Sequence, residues 1–219
     1  MPDNNPLTHM IPPGKESFFD KDIPFDAWQK NLPHRDQPGK IQFITFRTVD
    51  SLPVSVLDSI RLEKQRFHAE HLEPWDDDTR KLYLRKFGKV FDYYEDKGYG
   101  NCWLQRPEVR EPLIEALHHR DGTDYDIDCY VIMPNHVHIL MSSRKQRAVD
   151  IIDKIKSFSA TKINRILGRK GRVWMSDDFD RLVRNMQSLL YYRRYIIQNP
   201  RHLSPEEYEL YLAPYLRNN

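Results

Sequence analysis

"YVIMPNHVHILM", residues 130–141, places two histidines, His136 and His138, one residue apart inside an otherwise apolar run. The preceding "DYDIDCYVIM" (124–133) alternates at first and then becomes wholly apolar, as a strand does when it enters a core. Pro134-Asn135 is a bend signal, and "HVHILMSS" resumes as a second strand. Residues two apart on a strand point to the same side, about 6.6–6.8 Å along the chain. His136 and His138 therefore share one face, and Val137 and Ile139 take the other. Two imidazoles so placed can converge on one metal ion, or they can be hydrogen-bonded histidines at a sheet edge. A histidine-triad hydrolase needs a further histidine where Leu140 stands. Cupin-like sites belong to all-β chains with more strands than this sequence offers.

Upstream, "IQFITFRT" (41–48) reads as a strand. "SVLDSIRLEKQRFHAEH" (55–71), "TRKLYLRKFGKVFDYYED" (79–96) and "PEVREPLIEALHHRDG" (107–122) read as helices. Downstream, "VDIIDKIKSFSATKINRILG" (149–168) is an amphipathic helix stopped by Gly168. "MQSLLYYRRYIIQN" (186–199) is a helix ended near Pro200, and "PEEYELYLAPYL" is expected to be a terminal helix. Strand, helices, strand pair and further helices make an α+β domain with a small antiparallel sheet. Residues 1–39 hold seven of the 15 prolines and little apolar periodicity, which predicts an extended or loosely packed arm. We divide the chain into that arm, a domain over 40–200, and a helical tail over 201–219.

The 219 residues suffice for one sizeable core. Charged residues make up 30%, and every apolar run is far shorter than the roughly 20 residues of a membrane helix. No secretory signal is visible at the N-terminus. The two cysteines, Cys102 and Cys129, make neither a disulfide framework nor a zinc cluster. These features point to a cytoplasmic protein with no membrane partner. Formal net charge is +2, yet Arg144 to Arg201 holds 15 Lys and Arg against five Asp and Glu. That local excess fits a polyanionic partner or a solvated helical face.

The helix ending in "YYRRYIIQNP" carries Tyr195 and Asn199 four residues apart, on one helix face with Tyr191. Tyr192 falls roughly 100° away. If this helix packs beneath the sheet, a tyrosine and an amide oxygen meet the two imidazoles. Otherwise these tyrosines are core packing. Tyrosine, with a pKa of about 10, is a poor nucleophile at neutral pH. A divalent ion that polarises a phosphate oxygen would let it attack a phosphodiester. The tyrosine would then hold a 5′-phosphate and free a 3′-hydroxyl, and reversal onto another 3′ end is strand transfer.

"YVIMPNHVHILM", "IKSFSATKINRILGRKGRVWMSDDFDRLVRN" and "YRRYIIQNP" together resemble the REP-associated tyrosine transposases. These are a branch of the single-tyrosine HUH transposases, where H is histidine and U a bulky apolar residue. The resemblance runs from about residue 40 to 200. It implies a ferredoxin-like (RRM-like) fold with a central antiparallel sheet flanked by helices. It also implies cleavage and rejoining of single-stranded DNA at hairpin-forming palindromic repeats, dependent on a divalent ion (Mg²⁺ or Mn²⁺). His136 and His138 match the histidine pair, Tyr195 the nucleophile and Asn199 the residue completing the metal site, with Tyr191 and Tyr192 as alternative nucleophiles. The protein would work as a monomer or homodimer, nucleoid-associated when bound to DNA.

Lys156, Lys162, Arg165, Arg169, Lys170 and Arg172 are candidate phosphate contacts, the cluster from Arg165 to Arg172 above all. Trp174 either stacks on an unpaired base or anchors the core after Gly171. Arg181 and Arg184 either hold a phosphate near the tyrosine or pair with Asp177, Asp178 and Asp180. The sequence thus favours a strand transferase. A non-cutting hairpin-binding protein of the same fold stands second, and a hydrolase of small phosphodiesters third.

Overall fold

The computed structural model describes residues 18–29, 33–72, 74–76, 78–83, 85–87, 98–176 and 178–217. The core is built on three strands that read as apolar in the sequence. These are β3 (Ile41–Arg47), β4 (Tyr125–Ile132) and β5 (His136–Ser143), nearly every residue of which is buried. Strands covered on both faces lose the alternation of a half-exposed strand, hence the continuous apolar runs. β4 and β5 form a hairpin closed by a bond from the Met133 N–H to the His136 carbonyl, 2.8 Å.

Two short strands complete a five-stranded antiparallel sheet, β6 (Phe179–Leu182) beside β3 and β7 (Glu209–Leu212) beside β4. The spatial order is β6-β3-β5-β4-β7. Helices α1 (Val54–Glu70) and α2 (Pro107–His118) lie between β3 and β4 in the chain, and α3 (Ala148–Ile166) between β5 and β6. Without β7 this is a βαββαβ unit in ferredoxin-like order, as the sequence resemblance implied.

The strand period assigns the faces. Ile44, Phe46, Ile132, Val137 and Ile139 pack with Leu113 and Leu117 of α2 and Ile152 and Ile155 of α3. Phe43, Cys129, Val131 and Leu140 pack on the other side with Leu189 and Ile196 of α4 (Met186–Gln198). α4 starts where the Asn185 side chain accepts a hydrogen bond from the Ser188 N–H, 2.8 Å, an N-cap that satisfies one otherwise orphaned donor. A third cluster, including Phe67, Trp75, Tyr83 and Phe87, gathers α1 and the helical residues 78–83 and 85–87.

Two expectations change. The segment expected as a terminal helix is strand β7, followed by the short helix α5 (Pro214–Arg217). Its register partner is the open edge of β4, with Tyr211 stacked on Tyr130 at 5.1 Å; a non-local ladder overrides local periodicity. The described residues of the arm, 18–29 and 33–39, are folded. Strands β1 (Asp26–Gln29) and β2 (Pro33–Asp36) form a hairpin, His34 pairs with Asp180 of β6, and the Asp36 carboxylate accepts the Ala148 N–H at the start of α3, 2.7 Å. Residues 1–17 of the arm lie outside the described residues, as does much of the expected helix over 79–96. Among the described residues no helix is long and apolar enough to cross a membrane.

Candidate active site

His136 and His138 lie on β5 facing α4, both buried, with ring centroids 4.7 Å apart. They belong to an inner strand, so the sheet-edge reading does not hold. Each ring is oriented through Nδ1, His136 by the Asn135 side-chain oxygen at 2.8 Å and His138 by Thr45 Oγ1 at 2.7 Å. An imidazole whose Nδ1–H donates to an oxygen presents a lone pair at Nε2. Burial, and next the nearby Arg47 guanidinium, push the His138 pKa down to about 3. That ring is therefore neutral at physiological pH, as a metal-ligating imidazole must be.

α4 brings Tyr195 against this pair. Its ring lies edge-on to His138 at 5.0 Å and edge-on to Phe43 at 5.9 Å. Phe43 is a shared platform, since it also stacks on His138 at 5.5 Å and on Tyr192 at 4.4 Å. One turn after Tyr195, the Asn199 N–H donates to the Tyr195 carbonyl at 2.9 Å. The Asn199 side-chain oxygen is buried and makes no hydrogen bond among the described residues, which is costly for a polar atom unless a ligand meets it. Tyr191 is 60% exposed and stacks loosely over Tyr195 at 6.5 Å. Tyr192 is half-buried, and burial raises its phenol pKa although Arg181 hydrogen-bonds it.

The candidate donors are two imidazoles and an amide. No group of three or more His, Cys, Asp or Glu side chains able to hold a metal ion occurs among the described residues. Any ion here would depend on the amide as third donor. Nitrogen and neutral oxygen donors of this kind suit several divalent ions.

The candidate phosphate contacts separate into two groups. Lys156 is a correction. It is buried on α3, with Nζ 2.7 Å from Asp178 and 3.6 Å from Asp153. Its place in a basic segment of the sequence does not reveal that acid across the fold. Lys162 reaches Glu115 of α2 at 2.5 Å and lies over the Phe158 ring. Arg165, Lys170, Arg172 and Arg184 are exposed. Arg169 lies over the Trp103 ring at 4.1 Å and donates to the Arg172 carbonyl.

The loop after α3, which carries Arg169, Lys170 and Arg172, leads the chain back to the histidine end of the sheet. Gly168, with φ +61°, ends the helix. The chain then runs beside β3, where the Met175 N–H donates to the Arg47 carbonyl at 2.9 Å and Arg47 is the register partner of His136. Trp174 anchors the core: it is buried, donates to Ser159 Oγ at 3.0 Å and meets Phe46 edge-on. Arg181 lies over Phe179, and Asp178 and Asp180 are engaged by Lys156 and His34. Asp177 is outside the described residues.

Sequence reading missed the polar groups that orient the site. Thr45 lies opposite His138 in the ladder, which needs the β3–β5 register. Asn135 directly precedes His136, and that adjacency was an available signal.

Comparisons with known proteins bear on the same residues. Residues 104–199 match the family described as "Transposase IS200 like". The match starts just before α2 and ends on Asn199, so it contains both histidines, Tyr195 and the basic loop. A solved structure described as a REP-associated tyrosine transposase bound to a REP hairpin matches with 13% identity. The match covers 80% of this chain and 74% of that one, with a TM-score of 0.42. No curated protein matches the chain.

Proposed function

We propose that this chain, whose residues 104–199 match the IS200-like transposases, cleaves hairpin-forming single-stranded DNA and transfers the strand through a 5′-phosphotyrosine on Tyr195. The observation that carries the reading is the Tyr195 ring set against His138, on the face that both histidines share. His136, His138 and Asn199 would hold a divalent ion, Mg²⁺ or Mn²⁺. When bound, the ion supplies Lewis-acid polarisation of a phosphate oxygen.

The protein's own groups do the rest. Tyr195 Oη attacks phosphorus, the P–O3′ bond breaks, and the phenolic proton is replaced on the leaving 3′-oxygen through solvent. One phosphodiester is exchanged for another, so no co-reactant is consumed. A second 3′-hydroxyl attacking the same phosphorus displaces the tyrosine and joins the strands. Tyr195 suits this step better than its neighbours. Tyr191 is directed to solvent, and the Tyr192 phenol is committed to Phe43 and Arg181 and made harder to ionise by burial. The exposed cations from Arg165 to Arg172, with Arg184, would neutralise backbone phosphates.

Oligonucleotides carrying palindromic repeats, incubated with Mn²⁺ or Mg²⁺ and resolved on a denaturing gel, test the reading. A covalent protein–DNA adduct is expected for the wild type and absent with EDTA or in Tyr195→Phe. An adduct surviving in that variant would move the chemistry to another residue. Tight hairpin binding without adduct on any repeat would leave a non-cutting hairpin binder.

A further inference from the structure

β4 contains an irregularity that the site as described does not use. Its register with β5 runs Ile127↔Met141 and then Cys129↔Leu140, so Asp128 is an extra residue, a β-bulge. Ile127 faces α2 and α3, whereas Cys129 faces α4. Bulges re-aim side chains and recur beside active sites. Here the bulge delivers a carboxylate to the face covered by the tyrosine helix.

That carboxylate meets Arg193 of α4. Arg193 Nε donates to Asp128 Oδ2 at 2.9 Å and Nη2 to Oδ1 at 2.5 Å. The Tyr215 hydroxyl donates to Oδ1 at 2.6 Å, and the Ala213 N–H donates to the Asp128 carbonyl at 2.9 Å. Arg193 has 0% relative exposure and Asp128 4%. Replacing a buried ion pair with apolar residues is often neutral or stabilising, so stability alone does not account for this one. Directionality does. Leu189 and Ile196 hold α4 by apolar contact, which tolerates rotation, whereas a guanidinium–carboxylate fork fixes both angle and height.

Resting on the phosphotyrosine reading above, we propose that Asp128 and Arg193 are positioning residues that set the rotation of α4, and with it the place of Tyr195 beside His138. Residues 193 and 195 are about 200° apart around the helix, at 100° per residue. The fork therefore grips one flank while the tyrosine works on the other. A rotation of about 10° moves a group at the helix's outer radius of about 5–6 Å by roughly 1 Å. A misplacement of about 1 Å can cost on the order of 100-fold in rate.

The test measures adduct formation at saturating hairpin DNA with Mn²⁺, hairpin Kd, and ¹⁹F NMR of 3-fluorotyrosine placed at position 195 without metal or DNA. Asp128→Asn and Arg193→Lys are each expected to slow adduct formation about 30–100-fold while Kd changes less than about threefold. They should shift or broaden the ¹⁹F line in protein still folded at the assay temperature. Tyr215→Phe keeps the fork and removes one hydroxyl; about a 3–10-fold slowing is expected, and this variant decides the matter if the others do not fold. Wild-type rates together with an unmoved ¹⁹F line in the folded variants would overturn the inference. Absence of adduct in the wild type would instead count against the phosphotyrosine reading, and the ¹⁹F line would still test the fork.

Discussion

Replacing Lys156 with methionine separates a structural cation from a DNA-binding one. Lys156 and Asp178 are 2.7 Å apart, with side-chain exposures of 8% and 2%. Removing one partner of a pair this buried leaves a carboxylate in the interior, at a cost of about 3–5 kcal/mol. For a chain of this size each kcal/mol is worth roughly 2–4 °C, so melting should fall by about 6–20 °C. Lys156→Met combined with Asp178→Leu removes both charges and should restore most of that stability. Hairpin binding, measured by fluorescence anisotropy over a range of salt below the lowered melting point, should keep its affinity and salt slope. A cation that did neutralise a phosphate would lower that slope by about 0.7–0.9 on removal. A variant that melts with the wild type and binds DNA with a shallower slope would refute the assignment of Lys156 to the interior.

Two further outcomes are expected. Arg165→Gln with Arg172→Gln, both on the exposed end of the basic segment, should leave melting within about 1 kcal/mol of the wild type and lower the salt slope by about 1.4–1.8. An unchanged slope would remove these residues from the DNA-binding surface. In EDTA, His138 should make stability pH-dependent. Its folded pKa is pushed from 6.5 to about 3, so the unfolded chain takes up a proton that the folded protein refuses. The contribution is fully present above about pH 6.5 and is lost on acidification towards pH 3, at up to about 1.36 kcal/mol per pH unit. Urea unfolding of wild type and His138→Gln should then converge as pH falls from 7.5 to 5. Parallel curves would show that the ring titrates normally.

What the sequence made legible, and what it hid, follow from whether the deciding contact is local. β3, β4 and β5 are readable because both faces are buried and the chain is apolar throughout. α4 is readable from its periodicity and the proline that follows it. The histidine face depends only on the two-residue period of a strand, and the Tyr195–Asn199 relation only on the helical turn, so neither needs the fold. β6 is four residues long and largely half-exposed, and its only warrant is the edge of β3. β7 carries apolar residues that also suit a helix, and the free edge of β4 decides between the two. Lys156 looked like its basic neighbours because its acid lies 22 residues away, just before β6. Asp128 is the sharpest case. Alternation counted from Ile127 places it towards α4, and alternation counted back from Cys129 places it on the other side of the sheet. The one-residue slip against β5 lies between the two, and Arg193, 65 residues later, grips the carboxylate. A sequence pattern can propose which groups react. The angle at which the helix presents them rests on a bulge that no period in this sequence encodes.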